Sequence, residues 1–164
     1  MRSKKSLFYL LILTMFITFN LISCGGGGGG GGSVRAVSFD SIALEDIRAV
    51  VLSDEKINGS NDDTNEIPEE TIVVYQTNEG RYGKFIVTTY GYSLYINWVT
   101  YDLSNDGTVY SEGVDLRIDG TCYAELDEGS GSGDPADVDF QWEQDTPIKR
   151  YISPQNGATF AVFH

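Results

Sequence analysis

From Thr71 to the end, the chain is written in short apolar runs that turn residues interrupt every eight to twelve positions. The runs are rich in Val, Ile, Thr, Tyr and Phe, which suit a pleated, half-buried surface. This spacing leaves no room for long helices. It predicts strands at Thr71–Gln76, Lys84–Tyr90, Ser93–Tyr101, Thr108–Ser111, Val114–Ile118 and Thr121–Leu126, and then at Asp137–Glu143, Lys149–Ile152 and Thr159–Phe163. Turns are expected at Asn78-Glu79-Gly80, Asn105-Asp106-Gly107, Asp119-Gly120 and Asn156-Gly157. Asn-Gly and Asp-Gly between apolar runs favour hairpins.

Several runs alternate. Leu94, Ile96 and Trp98 point one way, as do Leu116 and Ile118. Phe140 and Trp142 alternate with Asp139, Gln141 and Glu143. One face on a core and one wet face is the antiparallel pattern. Residues 34–164 therefore read as one all-β domain, an antiparallel sandwich or small barrel of about 7–10 short strands. That length can bury a core without a disulfide.

Three segments do not read as strands. Ser53 to Glu70 is polar and acidic and is expected to be a mobile loop. Glu128-Gly129-Ser130-Gly131-Ser132-Gly133-Asp134 reads as a second flexible loop. In residues 40–52, Ile42, Leu44, Ile47, Val50 and Val51 fit one face of a short helix that Asp40 or Ser41 would cap. The β texture that follows favours strands instead, at Val34–Phe39 and Arg48–Leu52.

The N-terminus is a different text. Arg2, Lys4 and Lys5 precede an apolar run from Leu7 to Phe19. A basic start and an apolar core of this length make a secretory signal. The run falls short of the roughly 20 apolar residues of a transmembrane helix. It ends in Leu21-Ile22-Ser23-Cys24, which resembles the lipobox of bacterial lipoproteins. The resemblance covers only about the first 24 residues. It implies a diacylglyceryl group on the Cys24 thiol, cleavage of residues 1–23, and acylation of the new amino group. Two or three chains would anchor the protein stably to a membrane, where one would not. Asp after the lipidated Cys marks inner-membrane retention in enteric bacteria. Gly25 stands there, so the outer membrane is implied where an organism has one.

Gly25 to Gly32, closed by Ser33, is a tether within the segment 24–33. Eight glycines span about 15 Å on average and about 28 Å when stretched. Loss of residues 1–23 leaves 141 of the 164 residues, with all 24 acids and eight of the 11 bases, a net charge of about −16. Nucleic acid is disfavoured as a partner, since phosphate contacts need basic patches. Close approach to an anionic lipid surface is disfavoured too. With Cys24 lipidated, Cys122 is the remaining thiol and reads as a small buried hydrophobe.

Little in the sequence carries chemistry. The single His is His164, the last residue given, so imidazole-based triads and multi-His zinc sites are disfavoured. No phosphate loop or cofactor motif is present. A carboxylate-based hydrolase is the enzyme class left open. Asp102, Ser104 and Asp106 start like a calcium loop, but Gly113 occupies its twelfth position, so a hairpin turn explains them better. Tyr90, Tyr92, Tyr95, Tyr101 and Trp142 could form a glycan-binding face, with cross-strand tyrosine packing as the plainer account. The reading that results is a lipid-anchored envelope protein whose β domain binds a glycan or an envelope protein, or scaffolds, without catalysis.

Overall fold

A computed structural model describes residues 37–104, 106–131 and 133–164. The signal segment, Cys24, the glycine run and most of the expected strand at Val34–Phe39 lie outside these residues. Within them the chain is nearly all β, in nine strands: β1 (Ile57–Asn58), β2 (Ile72–Gln76), β3 (Tyr82–Thr89), β4 (Leu94–Tyr101), β5 (Val109–Ile118), β6 (Tyr123–Ala124), β7 (Phe140–Gln144), β8 (Arg150–Pro154) and β9 (Thr159–Val162). They form two antiparallel sheets, ordered β1-β8-β7-β6 and β5-β4-β3-β2-β9. The fold is an all-β sandwich, not a closed barrel.

The core lies between the sheets. Val73, Tyr75, Phe85, Ile96 and Phe160 come from the larger sheet; Phe140, Trp142 and Ile152 come from the smaller. Rings interlock at the centre. Phe85 stacks on Phe140 with centroids 6.2 Å apart, and Phe140 meets Phe160 edge-on at 5.6 Å. β4 alternates buried and half-buried along its whole length, as its sequence pattern requires.

Two crossings differ from the expected hairpins. Asp119-Gly120 leads from β5 in one sheet to β6 in the other, and Asn156-Gly157 leads from β8 back to β9. The second is still a tight turn, closed by Ala158 N–H to the Gln155 carbonyl at 2.9 Å. A turn signal fixes a local reversal but not which sheet receives the next strand. The predicted strands Thr108–Ser111 and Val114–Ile118 are one strand, β5, whose register against β4 shifts twice. Such bulges disrupt an edge ladder and discourage pairing with another chain.

Residues 37–52 are not strands. A 3-10 turn covers Phe39–Ser41, and the helix α1 covers Leu44–Arg48. Ala43 is the N-cap residue, in place of Asp40 or Ser41, and its N–H donates to the Asp46 carboxylate at 2.9 Å. Ile42 and Ile47 pack on Ile72 and Val74, on the outer face of the larger sheet. β2 is therefore buried on both faces, which its unbroken apolar run allows. Lys84 pins this cover. Its ammonium donates to the carbonyls of Phe39 at 2.6 Å and Ile42 at 2.7 Å, under the Phe39 ring. Lys84→Met should leave the sandwich folded and loosen residues 37–50, costing about 1–3 kcal/mol. Hydrogen exchange that stays unchanged across this segment would refute that role.

The acidic segment 53–70 is pinned rather than mobile. Ser53 pairs with Phe160, Glu66 N–H donates to the Asn58 carbonyl at 2.8 Å, and Ile67 is fully buried. One apolar side chain in the core and a set of Asx turns order a stretch whose composition reads as loop.

Candidate functional site

The sequence-derived aromatic face does not assemble. Trp142 is fully buried in the core, with its indole N–H on the Gly91 carbonyl at 3.2 Å. It is corrected from ligand-facing to structural. Tyr90 packs against the main core, and Tyr101 packs among the residues beneath α1. Burial raises the Tyr101 phenol above its usual range. Tyr92 stands free at 61 % exposure. Tyr95 lies half-buried on the outer side of β4, opposite Arg117. Two rings of the five thus remain available to a ligand.

Asp102, Ser104 and Asp106 fold in on their own turn. Asp102 accepts from Ser104 N–H at 2.8 Å; Asp106 accepts from the Ser104 hydroxyl and from Thr108 N–H, both at 2.9 Å. Hydrogen bonds from Thr108 and Ser104 hold the Asp106 carboxyl down at about 2. These oxygens are spent on a hairpin. Among the described residues, no group of three or more His, Cys, Asp or Glu is placed to hold a metal. Tyr101 and Asp106 do meet across a groove of about 540 Å³, beside Asp40, Glu45 and Arg48. Cys122 is half-buried against the core, which fits a packing role. Cys24 lies outside the described residues.

The most unusual chemistry lies elsewhere, where the turn between β2 and β3 meets the loop that follows β6. Asp139, expected on the wet face, is fully buried. Its two oxygens accept from Asn78 N–H at 2.8 Å and Leu126 N–H at 2.7 Å. Burial drives its pKa up to about 6 against the pull of those two bonds, and the charges of Asp127 and Glu79 add to the rise. Glu125 rises to about 7, again through burial, although its carboxylate accepts from Asp127 N–H at 2.8 Å and Glu128 N–H at 2.5 Å. Asp127 is also raised by burial, and Arg81 opposes the shift from 2.9 Å. The same guanidinium bonds Glu79 and lies 3.9 Å from the centre of the Tyr110 ring.

Carboxyls that titrate near neutrality are what acid–base catalysis recruits. Here the geometry points to architecture. Asp139 is sealed from solvent, and both its oxygens are occupied by main-chain amides that tie two loops together. The sequence carried no periodic signal for this cluster. Only an acid at the head of an apolar strand, Asp139 before Phe140, hinted at it.

No protein-family model, curated protein or solved structure matches the chain.

Proposed function

We propose that the chain is a lipoprotein anchored through Cys24, whose β-sandwich is a non-catalytic binding or scaffolding module of the cell envelope. The lipobox and the glycine run support the location, at the outer membrane where the organism has two. One observation carries the non-catalytic reading: Asp139 and Glu125, the carboxyls raised toward neutrality, spend their oxygens on backbone amides instead of lining a cleft. No described helix is long and apolar enough to cross a membrane. A second reading, a glycan-binding module, keeps the support of Tyr92 and Tyr95. A carboxylate-based hydrolase has less, because no substrate atom reaches Asp139.

Two measurements test this reading. Cys24→Ala should move the full chain from the membrane fraction to the soluble one and abolish the lipid mass on its N-terminal peptide. Wild-type protein that is soluble and unlipidated would sink the anchor. A thermal-shift screen against glycans, with and without calcium, should show no calcium effect; a shift that Asp102→Asn removes would restore the metal site.

A further inference from the structure

Tyr92 and Tyr95, the two rings left open to a ligand, are linked by one ion pair on the surface. Tyr95 stands on the outer face of the larger sheet, and its cross-strand partner in β5 is Arg117. Tyr92 precedes β4, and its ring edge lies 3.0 Å from where a methyl on Gly120 would stand. The Gln144 carboxamide closes on the same point, with Oε1 at 2.7 Å. Next to Gly120 is Asp119, whose Oδ1 accepts from Arg117 Nε at 2.8 Å and from the Ser93 hydroxyl. Asp119 first, and the Tyr95 and Tyr92 phenols after it, hold the Arg117 pKa above its usual value, so both phenols lie within electrostatic reach of the guanidinium. The Arg117 and Asp119 side chains are 57 % and 40 % exposed, so the cluster faces water. Cross-strand packing accounts for Tyr95 against Arg117. It does not account for Tyr92, a ring held in place yet 61 % exposed.

Each partner of the pair is half spent. Asp119 Oδ1 takes both bonds, and Oδ2 has no hydrogen-bond partner among the described residues. Arg117 donates through Nε, and its two Nη groups have no partner among them either. Donors on Arg117 and an acceptor on Asp119 thus stand side by side at the surface. Two neighbouring hydroxyls of a sugar ring match that arrangement: one accepts from Arg117 and the next donates to Asp119. The C–H face of the same sugar suits the exposed Tyr92 ring, which offers a large apolar surface. The charges of the pair cancel, while the chain as a whole carries −13. A neutral ligand is indifferent to that field, whereas an acidic one meets repulsion from it and from Asp119. We propose that Tyr92, Tyr95, Arg117 and Asp119 form a shallow platform for a neutral glycan. Tyr92 stacks on the sugar, the Arg117–Asp119 pair reads vicinal hydroxyls, and Tyr95 backs Arg117 across the strands.

This inference rests on the glycan-binding reading of the domain and names its site. The test uses the detergent-solubilised full chain, with cellohexaose, mannohexaose and xylohexaose as neutral probes and glucuronate as the acidic one. Binding is read by calorimetry and by the Arg117 Nε–H resonance of ¹⁵N-labelled protein. At least one neutral oligosaccharide should bind and move that resonance, and glucuronate should do neither. Tyr92→Ala should weaken binding roughly tenfold, the range of one lost aromatic contact. Arg117→Lys keeps the charge but loses the planar fork, and Asp119→Ala removes the acceptor; each should weaken binding roughly fivefold to tenfold. All three side chains are exposed, so the variants should melt close to wild type. If a variant does not fold, the wild-type resonance decides: one that stays static while a sugar binds overturns the platform. Equal affinity in wild type, Tyr92→Ala and Arg117→Lys would also overturn it and leave glycan binding to another surface. No binding of any neutral probe overturns the platform and the glycan reading together. Tighter binding of glucuronate than of the neutral probes overturns the assignment of a neutral ligand.

Discussion

Gly131→Ala will destabilise the domain by about 3 kcal/mol, and Gly129→Ala by a similar amount. The segment around them reads as a flexible Gly-Ser linker, yet it lies flat against the larger sheet. A methyl on Gly131 would fall inside the contact radius of the Arg117 carbonyl oxygen in β5, and that oxygen is backbone and cannot turn away. A methyl on Gly129 would strike the Trp98 ring, and Gly129 holds a φ of +72°, which L-residues adopt at a cost. The loop is also closed by reciprocal bonds between Glu125 and Ser130, both 2.9 Å. Thermal midpoints should fall by roughly 10 °C. The sign of the effect separates the two accounts. In a flexible linker, Gly→Ala stabilises by about 0.4–1 kcal/mol, because it removes entropy from the unfolded chain. Gly91→Ala is the control, since nothing lies within 4 Å of its added methyl. Gly131→Ala and Gly91→Ala proteins that melt together would return the segment to the class of linkers.

The same contrast shows what the sequence could reveal. Strand positions were legible because Leu94, Ile96 and Trp98 alternate with half-buried neighbours, and burial with period two leaves its mark residue by residue. The all-β class, as a sandwich or small barrel, followed from the strand count, and the choice between the two did not. Sheet membership was hidden: Asp119-Gly120 looks like a hairpin turn whether the chain returns to its own sheet or crosses to the other. The cover formed by residues 37–52 was hidden as well. A five-residue helix is too short for a helical period to outweigh the β texture around it, and Lys84, which pins that cover, looks like any strand lysine. Glycines mark close approach and free motion with the same letter, which is why 128–134 was misread. Of the site, Tyr92 was legible as an exposed ring. Trp142 was not legible as core, because an aromatic in an alternating strand gives its face only once the partner sheet is known.

The buried acids give the last expectation: wild-type stability will rise as the pH falls from about 8 toward about 4. The sign follows from Asp139 and Glu125. Their folded-state values, about 6 and about 7, lie above their unfolded values of 3.8 and 4.5. Between those limits the folded chain binds more protons than the unfolded one, so stability falls as pH climbs through the window. For fully buried Asp139 the shift corresponds to about 3 kcal/mol between the two ends. Glu125 is half-exposed and adds less, because solvent screens it. Asp62 and Asp106 act in the other direction. Both are lowered to about 2 by their hydrogen bonds, so their contribution is present above 3.8 and is lost as pH falls through 2. Stability should therefore peak near pH 4 and decline on either side. Loss of net negative charge also favours the folded state at low pH, and Asp139→Asn separates the two causes. Asparagine keeps one acceptor but turns an NH₂ toward either Asn78 N–H or Leu126 N–H, which costs about 2 kcal/mol at pH 7. It cannot take up the proton that stabilises wild type, even with Asp127, Glu79, Glu125 and Arg81 still around it. The gap between the two proteins should then widen as pH drops from 7 to 4, as read by urea unfolding across that range. Parallel stability curves would place the pH dependence on surface charge and remove Asp139 from it.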